Sequence, residues 1–581
     1  MYVTRAKQIV IILIAGILFA GILLCYDRIG IHNENPVKNQ EQAEETEQLS
    51  EVTAVLKVDH THITEKTDAD VRIQWWFNKE DGKHYFLFPS SADLASVRWE
   101  YDGSDVMRMD GIPVVNGTSY AITQGEHLID EGEGTEQHPI VVMQSENLGA
   151  LFLTTKSGNL GFINTDKEHE EAGTAIVIDE DGTCTYNGNM ESIAGRGNTT
   201  WDFSNKRGYQ IRFPSKIDIY GMGAAKKWVL LANYFDESLL RNDFTYHLAA
   251  VSGMPYSPET VFVDLYLNGR YWGNYQISEK IEVDEERVNI PDLQKATEKR
   301  NPDRDLSEYD RFGMETLEQV NSIPDTSMGY EIPNDPADIT GGYLLEFDIG
   351  DRYIHENSGF ATRLNQPVVI KSPQYASRAQ VDYISDLYQQ FEDAVDVYEG
   401  VNTVTGKYYY DYIDLDSFAK AYLIEEITKN VDAVISSRYF YKYPDRYSNK
   451  FFAGPVWDYD FALGNYDSPQ SLSDPEGLYA MQSGEQFSIW YALYYRAEFQ
   501  QAFKDEYWNT FRENALEGAT ERMEEQSELM ESSAVMDRIR WFGGTYEDIE
   551  NEKFIFEDNV SFLQEFIIDR IAYLDEEWAI Q

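Results

Sequence analysis

Asp458 and Asp460 stand in the stretch Phe452-Ala-Gly-Pro-Val-Trp-Asp-Tyr-Asp-Phe-Ala-Leu-Gly464, which is otherwise apolar. Two neighbouring carboxylates repel unless a cation or a shared proton lies between them. A hard cation such as Mg²⁺ takes one or two carboxylates together with phosphate oxygens. The pair therefore reads as a metal–phosphate clamp. The plain alternative is a surface strand edge with two solvated acids. Idle acids framed by large apolar residues are costly, which favours the clamp. The alternation over residues 456–461 predicts a short strand. It would put both aspartates on one face and Trp457, Tyr459 and Phe461 on the other, toward a core.

A second stretch of chemical interest runs from Gly195-Arg-Gly-Asn-Thr-Thr-Trp-Asp-Phe-Ser-Asn-Lys-Arg to Gly-Tyr-Gln-Ile-Arg-Phe213. Its first part is a polar loop and its second alternates as a strand. Arg196, Lys206 and Arg207 stand out in an acidic chain. Backbone N–H groups followed by cations can cradle phosphates. A surface hairpin accounts for the same residue types equally well.

Composition bounds what these residues can serve. The 581 residues exceed one ordinary core and suggest two or three domains. Forty Tyr, 29 Phe and 11 Trp are enough for large cores. The 48 basic and 101 acidic side chains give a net charge of −53, which argues against a nucleic-acid partner and fits a secreted or surface protein. Cys25 and Cys184, the two cysteines, provide neither a disulfide framework nor a thiolate zinc site.

The elements that position the acids follow in order. Residues 9–26 are an uncharged apolar run of 18 residues, about 27 Å long as a helix and close to bilayer thickness. Arg5 and Lys7 precede it and acidic residues follow, so the N-terminus should stay cytoplasmic. The alternatives are a cleaved or lipoprotein signal, or a buried helix. No small-x-small cleavage site ends the run, and Leu24 before Cys25 fits a lipoprotein signal poorly. An uncleaved anchor is favoured, with residues 1–30 as that unit. Residues 31–50 are polar and read as a solvated linker. From 51 to 135, short alternating runs separated by Asp81-Gly82, Asp102-Gly103 and Asn116-Gly117 read as a small all-β domain.

Beyond 136 the pattern is mixed. Strand-like runs stand at 139–143 and 150–155, and a buried strand at 228–233. A helix capped by Asp236 or Ser238 runs to Val251. A hairpin turns at Asn268-Gly269, the strongest signal for a type I′ turn. It ends at Ser278-Glu279-Lys280. Residues 285–340 read as an insertion or long loop, and 341–348 as a strand. Asp414 or Asp416 starts a helix ending near Asn430-Val-Asp432, followed by a strand at 439–443. The rest, from 498, is helical, with Phe562, Phe566, Ile567 and Ile571 as one buried stripe.

In this order the pieces resemble the spore-coat CotH kinase family. The resemblance is carried by Arg196-Gly197 with Lys206 and Tyr209-Gln-Ile-Arg-Phe213, then Trp228-Val-Leu-Leu with Asp236 and Arg241-Asn242. It continues in Leu267-Asn-Gly-Arg-Tyr-Trp-Gly-Asn-Tyr with Glu279, in Gly342-Tyr-Leu-Leu-Glu346, in Asn430-Val-Asp432, and in Pro455-Val-Trp-Asp-Tyr-Asp460 with Gly464. It covers about residues 139–581.

The resemblance implies an α+β, two-lobed, atypical protein-kinase-like domain over 136–581, with an N-lobe at about 139–280, a C-lobe at about 281–581 and ATP between them. It implies that Lys206 neutralises the nucleotide phosphates and that Arg196 lies on the loop covering them. Glu279 falls at the lobe junction where adenine is met. Asp432 orients or deprotonates the substrate hydroxyl, and Asp458 with Asp460 holds Mg²⁺ or Mn²⁺. Phosphoryl transfer needs mainly positioning and charge neutralisation, which these residue types supply. One departure stands out: Ser436-Ser437-Arg438 occupies the region where family members often carry Asn.

The expected function is a membrane-anchored, extracytoplasmic kinase that phosphorylates Ser or Thr of a secreted or surface protein. A catalytically silent surface scaffold and a carbohydrate-active protein are the alternatives. Glycosidase acids flank their substrate from opposite sides, whereas acids two apart on a strand share one wall. If 9–26 is an anchor, the full chain fractionates with membranes and is cut by protease added outside intact cells. Recovery in the cytosolic fraction would defeat the outward-facing assignment.

Overall fold

The computed structural model describes residues 51–57, 70–102, 106–132, 135–313, 326–434, 436–466, 472–481 and 488–579. The expected anchor and linker, 1–50, lie outside these. Among the described residues no helix is long and apolar enough to cross a membrane. The fold is α+β, with three all-β or sheet-based units in chain order.

The first unit has a four-stranded and a six-stranded sheet that share one core. Its runs bury alternate residues, as in Val71–Gln74 and Met107–Met109. His138–Gln144, which the sequence reading gives to the following domain, pairs with Lys83–Phe88 and Gly125–Asp130 instead. The β unit therefore extends to residue 144.

The second unit is a closed seven-stranded barrel. Its order around the barrel is Gly149–Thr155, Glu170–Ile178, Cys184–Arg196, Gly208–Asp218, Ala224–Leu231, Arg270–Glu279 and Thr260–Leu267. Alternating residues fill the interior, among them Tyr209, Ile211, Phe213, Trp228, Leu265, Tyr275 and Ile277. The Asn268-Gly269 turn joins the last two strands, and both residues have positive φ, as a type I′ turn requires.

The third unit is a seven-stranded antiparallel sheet backed by helices. It runs Arg311–Phe312, Thr326–Tyr330, Gly359–Ala361, Pro367–Ser372, Tyr343–Phe347, Arg438–Lys442, Phe451–Ala453. Residues 285–340 are thus not a plain insertion: they hold the helix Leu293–Glu298 and two sheet strands. Asp414 caps Leu415–Thr428 by accepting from the Ser417 N–H at 3.0 Å. The helix is Arg241–Val251, with Leu240 rather than Asp236 or Ser238 at the N-cap position; Asp236, ahead of it, accepts from the Arg241 N–H at 2.9 Å and pairs with the Arg241 side chain. On the last helix, Ile549–Glu577, the buried stripe includes Phe566 and Ile567, but Phe562 is exposed.

The three units are welded together. The core of the first β unit continues onto Phe152, Tyr266 and Tyr271 of the barrel and onto Val535, Met536 and Ile539 of the helix Ala519–Trp541. Lys83 reaches Glu547 at 2.8 Å. Met536→Ala should therefore lower stability by about 2–5 kcal/mol, the usual cost of such a cavity, measured by chemical denaturation. A loss below about 0.5 kcal/mol would make the contact incidental.

Candidate active site

The acidic stretch does not form the expected strand. Phe451–Ala453 pairs with Arg438–Lys442, and the ladder stops there, because Pro455 has no N–H to donate. The chain then runs irregularly to residue 461. The Tyr459 N–H donates to Asn242 Oδ1 at 2.8 Å, and Arg241 Nε donates to the Ala462 carbonyl at 3.0 Å. The helix Arg241–Val251 thus takes the place of a neighbouring strand. Trp457 and Tyr459 are buried as the alternation predicts. Asp458 is exposed, with φ +71, a left-handed conformation that Asp tolerates better than most residues.

Asp432 comes from the other side of the same site. The helix Leu415–Thr428 ends on Lys429 in the left-handed conformation, and the turn Val431–Val434 follows. Asn430 fixes this turn: its amide donates to Glu425 Oε2 at 3.0 Å and its Oδ1 accepts from the Asp432 N–H at 3.2 Å. The Asp432 carboxyl is pushed up to about 7 by burial first, then by Asp458; Arg352 and Arg438 oppose. Asp460 is pushed well up by burial and by Asp458, Asp432 and Asp236. The structure therefore brings all three acids into one field.

Ser437, where family members often carry Asn, donates its hydroxyl to Asp458 Oδ2 at 3.2 Å. Arg438 lies buried on the Phe347 ring, 4.4 Å from its centre, and its three guanidinium nitrogens have no hydrogen-bond partner among the described residues. It faces a small cavity lined also by Glu425, Tyr459 and Trp490. Arg196 ends its barrel strand over the Trp457 ring, 5.1 Å from the centre. Gly195 beside it lets the Trp201 ring pack onto the strand, since a Cβ there would lie 1.8 Å from that ring.

Lys206 and Glu279 are placed differently. Lys206 is fully buried, its Nζ 2.7 Å from Asp537 Oδ1 on the helix Ala519–Trp541. Asp537 Oδ1 also accepts from the Asn274 N–H at 2.9 Å. A Cβ at Gly273 would come within 2.3 Å of that oxygen. The Gly-Asn of the hairpin motif is thus explained by helix docking. The ammonium has no surface left for a phosphate. Glu279 is also buried: it accepts from the Tyr256 hydroxyl and the Glu259 N–H, each at 3.0 Å, and lies 3.5 Å from Arg287 Nε. It pins the barrel exit.

Sequence reasoning missed the roles of Arg241, Asn242 and Tyr246. Tyr246 stacks on Trp457, and its hydroxyl accepts from the Asp458 N–H at 3.4 Å. Their signal was the Arg241-Asn242 pair, which has no function visible without the acidic stretch it holds.

The family model described as CotH kinase protein matches residues 193–574. The chain belongs to this family. The match begins inside the third barrel strand and includes Arg196, Lys206, Glu279 and the three aspartates. The first β unit and the first two barrel strands precede it. A comparison with curated proteins found no match. The CotH kinase assignment suggests a kinase-like protein with, in general, ATP and a divalent ion.

The donor set fits a hard ion shared with a phosphate. Among the described residues no group of three or more acidic, histidine or cysteine side chains is placed to hold a metal ion on its own. Asp458 and Asp460 would supply only the one or two carboxylates that Mg²⁺ takes, which leaves its other positions to water and phosphate.

Lys206→Met leaves Asp537 buried and unpaired, so it should cost about 3–5 kcal/mol. Adding Asp537→Leu should restore most of that loss in a thermal melt. Unchanged stability with weakened ATP binding would instead return Lys206 to the phosphates.

Proposed function

We propose that the chain is a CotH-type kinase that transfers phosphate from ATP to Ser or Thr of a secreted or surface protein, with residues 9–26 as its anchor and the rest outside the membrane. The barrel and the seven-stranded sheet unit are read as its two lobes. The observation that carries this reading is that Asp458 lies close enough to Asp432 and to Asp460 to raise the proton affinity of both, with Arg196 packed on Trp457, the residue before Asp458.

Each residue has a role that its position supports. Asp458, with Asp460, would hold the ion, and Ser437 orients Asp458 through its hydroxyl. Arg196 meets phosphate charge from the barrel side. Asp432 takes the proton of the substrate hydroxyl; a carboxyl pushed up to about 7 by burial and by Asp458 suits a base at neutral pH. When bound, Mg²⁺ and ATP supply the phosphoryl group and neutralise its charge. The silent-scaffold reading rests on Ser437, a weaker ligand type than Asn at that place.

The test is a melt of the full chain with Mg²⁺ or Mn²⁺, with ATP, and with both. A ligand at about 100 times its dissociation constant adds roughly 2.7 kcal/mol, and the joint shift should exceed the sum of the separate ones. Asp458→Asn should erase most of it. Asp432→Ala should keep binding and lose radiolabel transfer. The Asp432 proton affinity is raised in the folded state. Without an ion, stability is therefore lost as pH rises through about 7, and an ion that needs the ionised form stabilises more above that pH. No joint shift at any pH favours the scaffold.

A further inference from the structure

Lys280 is the first residue beyond the barrel strand Arg270–Glu279. Its ammonium donates to the neutral Gln210 Oε1 at 2.6 Å. The strand register sets the cations around it: Arg196 stands opposite Gly208 on the strand that carries Gln210, and Lys227 precedes Trp228, the partner of Glu279; the charges of Lys227, Glu282, Arg196 and Lys371 all act on it. The carboxylate among them is already engaged: Glu282 lies 3.4 Å from Lys227 and 3.1 Å from Arg287. Lys371 is held by Glu346 at 3.2 Å and Glu356 at 3.1 Å. Arg196 has the Trp457 ring as its neighbour, next to Asp458.

Three cations around a partly buried ammonium repel it, and desolvation adds to the cost. The Lys280 ammonium is pushed down to about 7, by burial first and then by Lys227, with Arg196 and Lys371 adding and Glu282 opposing. A chain of net charge −53 repels free polyanions, so a phosphate can settle only where cations are concentrated and not cancelled. Lys206 is cancelled by Asp537; among the described residues no carboxylate pairs with Lys280 in this way, and its ammonium donates to Gln210 instead.

We infer that Lys280, with Arg196, forms a polyphosphate seat where the chain leaves the barrel, and that Lys280 rather than Lys206 is the lysine that neutralises the bound phosphates. That the polyphosphate belongs to ATP rests on the kinase reading above; the seat itself does not. Arg196 packs on Trp457, the residue before Asp458, so an anion held by Arg196 would adjoin the candidate carboxylates.

The experiment is calorimetry on the full chain with inorganic tripolyphosphate, ATP and adenosine, each with Mg²⁺. Lys280→Met should weaken tripolyphosphate and ATP by roughly tenfold to a hundredfold, the usual effect of losing a hydrogen bond to a charged group. Adenosine binding and the melting temperature should not change. Lys280→Arg should restore most of the affinity. Equal polyanion binding by wild type and Lys280→Met overturns the inference and leaves the kinase reading standing. Lys280-dependent tripolyphosphate binding without ATP turnover upholds the seat and removes the kinase reading. No tripolyphosphate binding by wild type overturns the seat directly.

Discussion

The structure depends on where a small number of cations are buried. The chain has 48 basic side chains against 101 acidic ones, and an uncompensated charge in the interior costs several kcal/mol. Three buried pairs hold segments that are far apart in sequence, two directly and the third through its arginine's bond to a distant carbonyl. Lys206 and Asp537 tie the barrel to the helix Ala519–Trp541. Arg570 and Glu426, both fully buried at 2.9 Å, tie the last helix to Leu415–Thr428. Arg241 is paired with Asp236 and also donates to the Ala462 carbonyl. Such pairs add little net stability compared with apolar packing, but a wrong partner would leave an unpaired charge. They therefore select one arrangement of the units.

The third pair bears most directly on the candidate site. The Pro455 to Phe461 stretch has no strand beside it to accept its backbone groups. Arg241, Asn242 and Tyr246 on one helix supply those contacts. Tyr459, inserted into the core, also donates to Glu425 at 2.9 Å, and Glu425 in turn accepts from Asn430 beside Asp432. The loops bearing Asp432 and Asp458 are thus joined from behind by one buried chain of hydrogen bonds. Positive φ at Asp458 and Ser437 is sustained by this fixed backing.

The first β unit extends the same logic. It shares a core with the barrel and with the helix that carries Asp537. The helix cannot leave the barrel without exposing both an apolar face and a buried ion pair. The unit thus acts as a brace on the barrel side of the candidate site, although it lies outside the family match.

The sequence by itself determined what local patterns can encode. Strand patterns marked five of the seven barrel strands and missed Glu170–Ile178 and Cys184–Arg196; Asn268-Gly269 marked the barrel's hairpin, Asp414 or Asp416 a helix start, and ordered motifs the family. It also singled out Asp458 and Asp460 by their apolar surroundings and Arg196 by its charge in an acidic chain, and Asp432 through the family resemblance. Tertiary structure decided what depends on distant partners. Whether Lys206 faces a phosphate or an aspartate 331 positions later in the chain is not written near Lys206. The alternation at 456–461 gave Trp457 and Tyr459 correctly as buried, with Phe461 half-buried, but the wrong element, since a strand needs a neighbour and a helix stood there instead. The His138–Gln144 strand joined the earlier unit because its pairing partners lie upstream. Lys280 became distinctive only when folding set it among cations and gave it a neutral amide instead of a carboxylate.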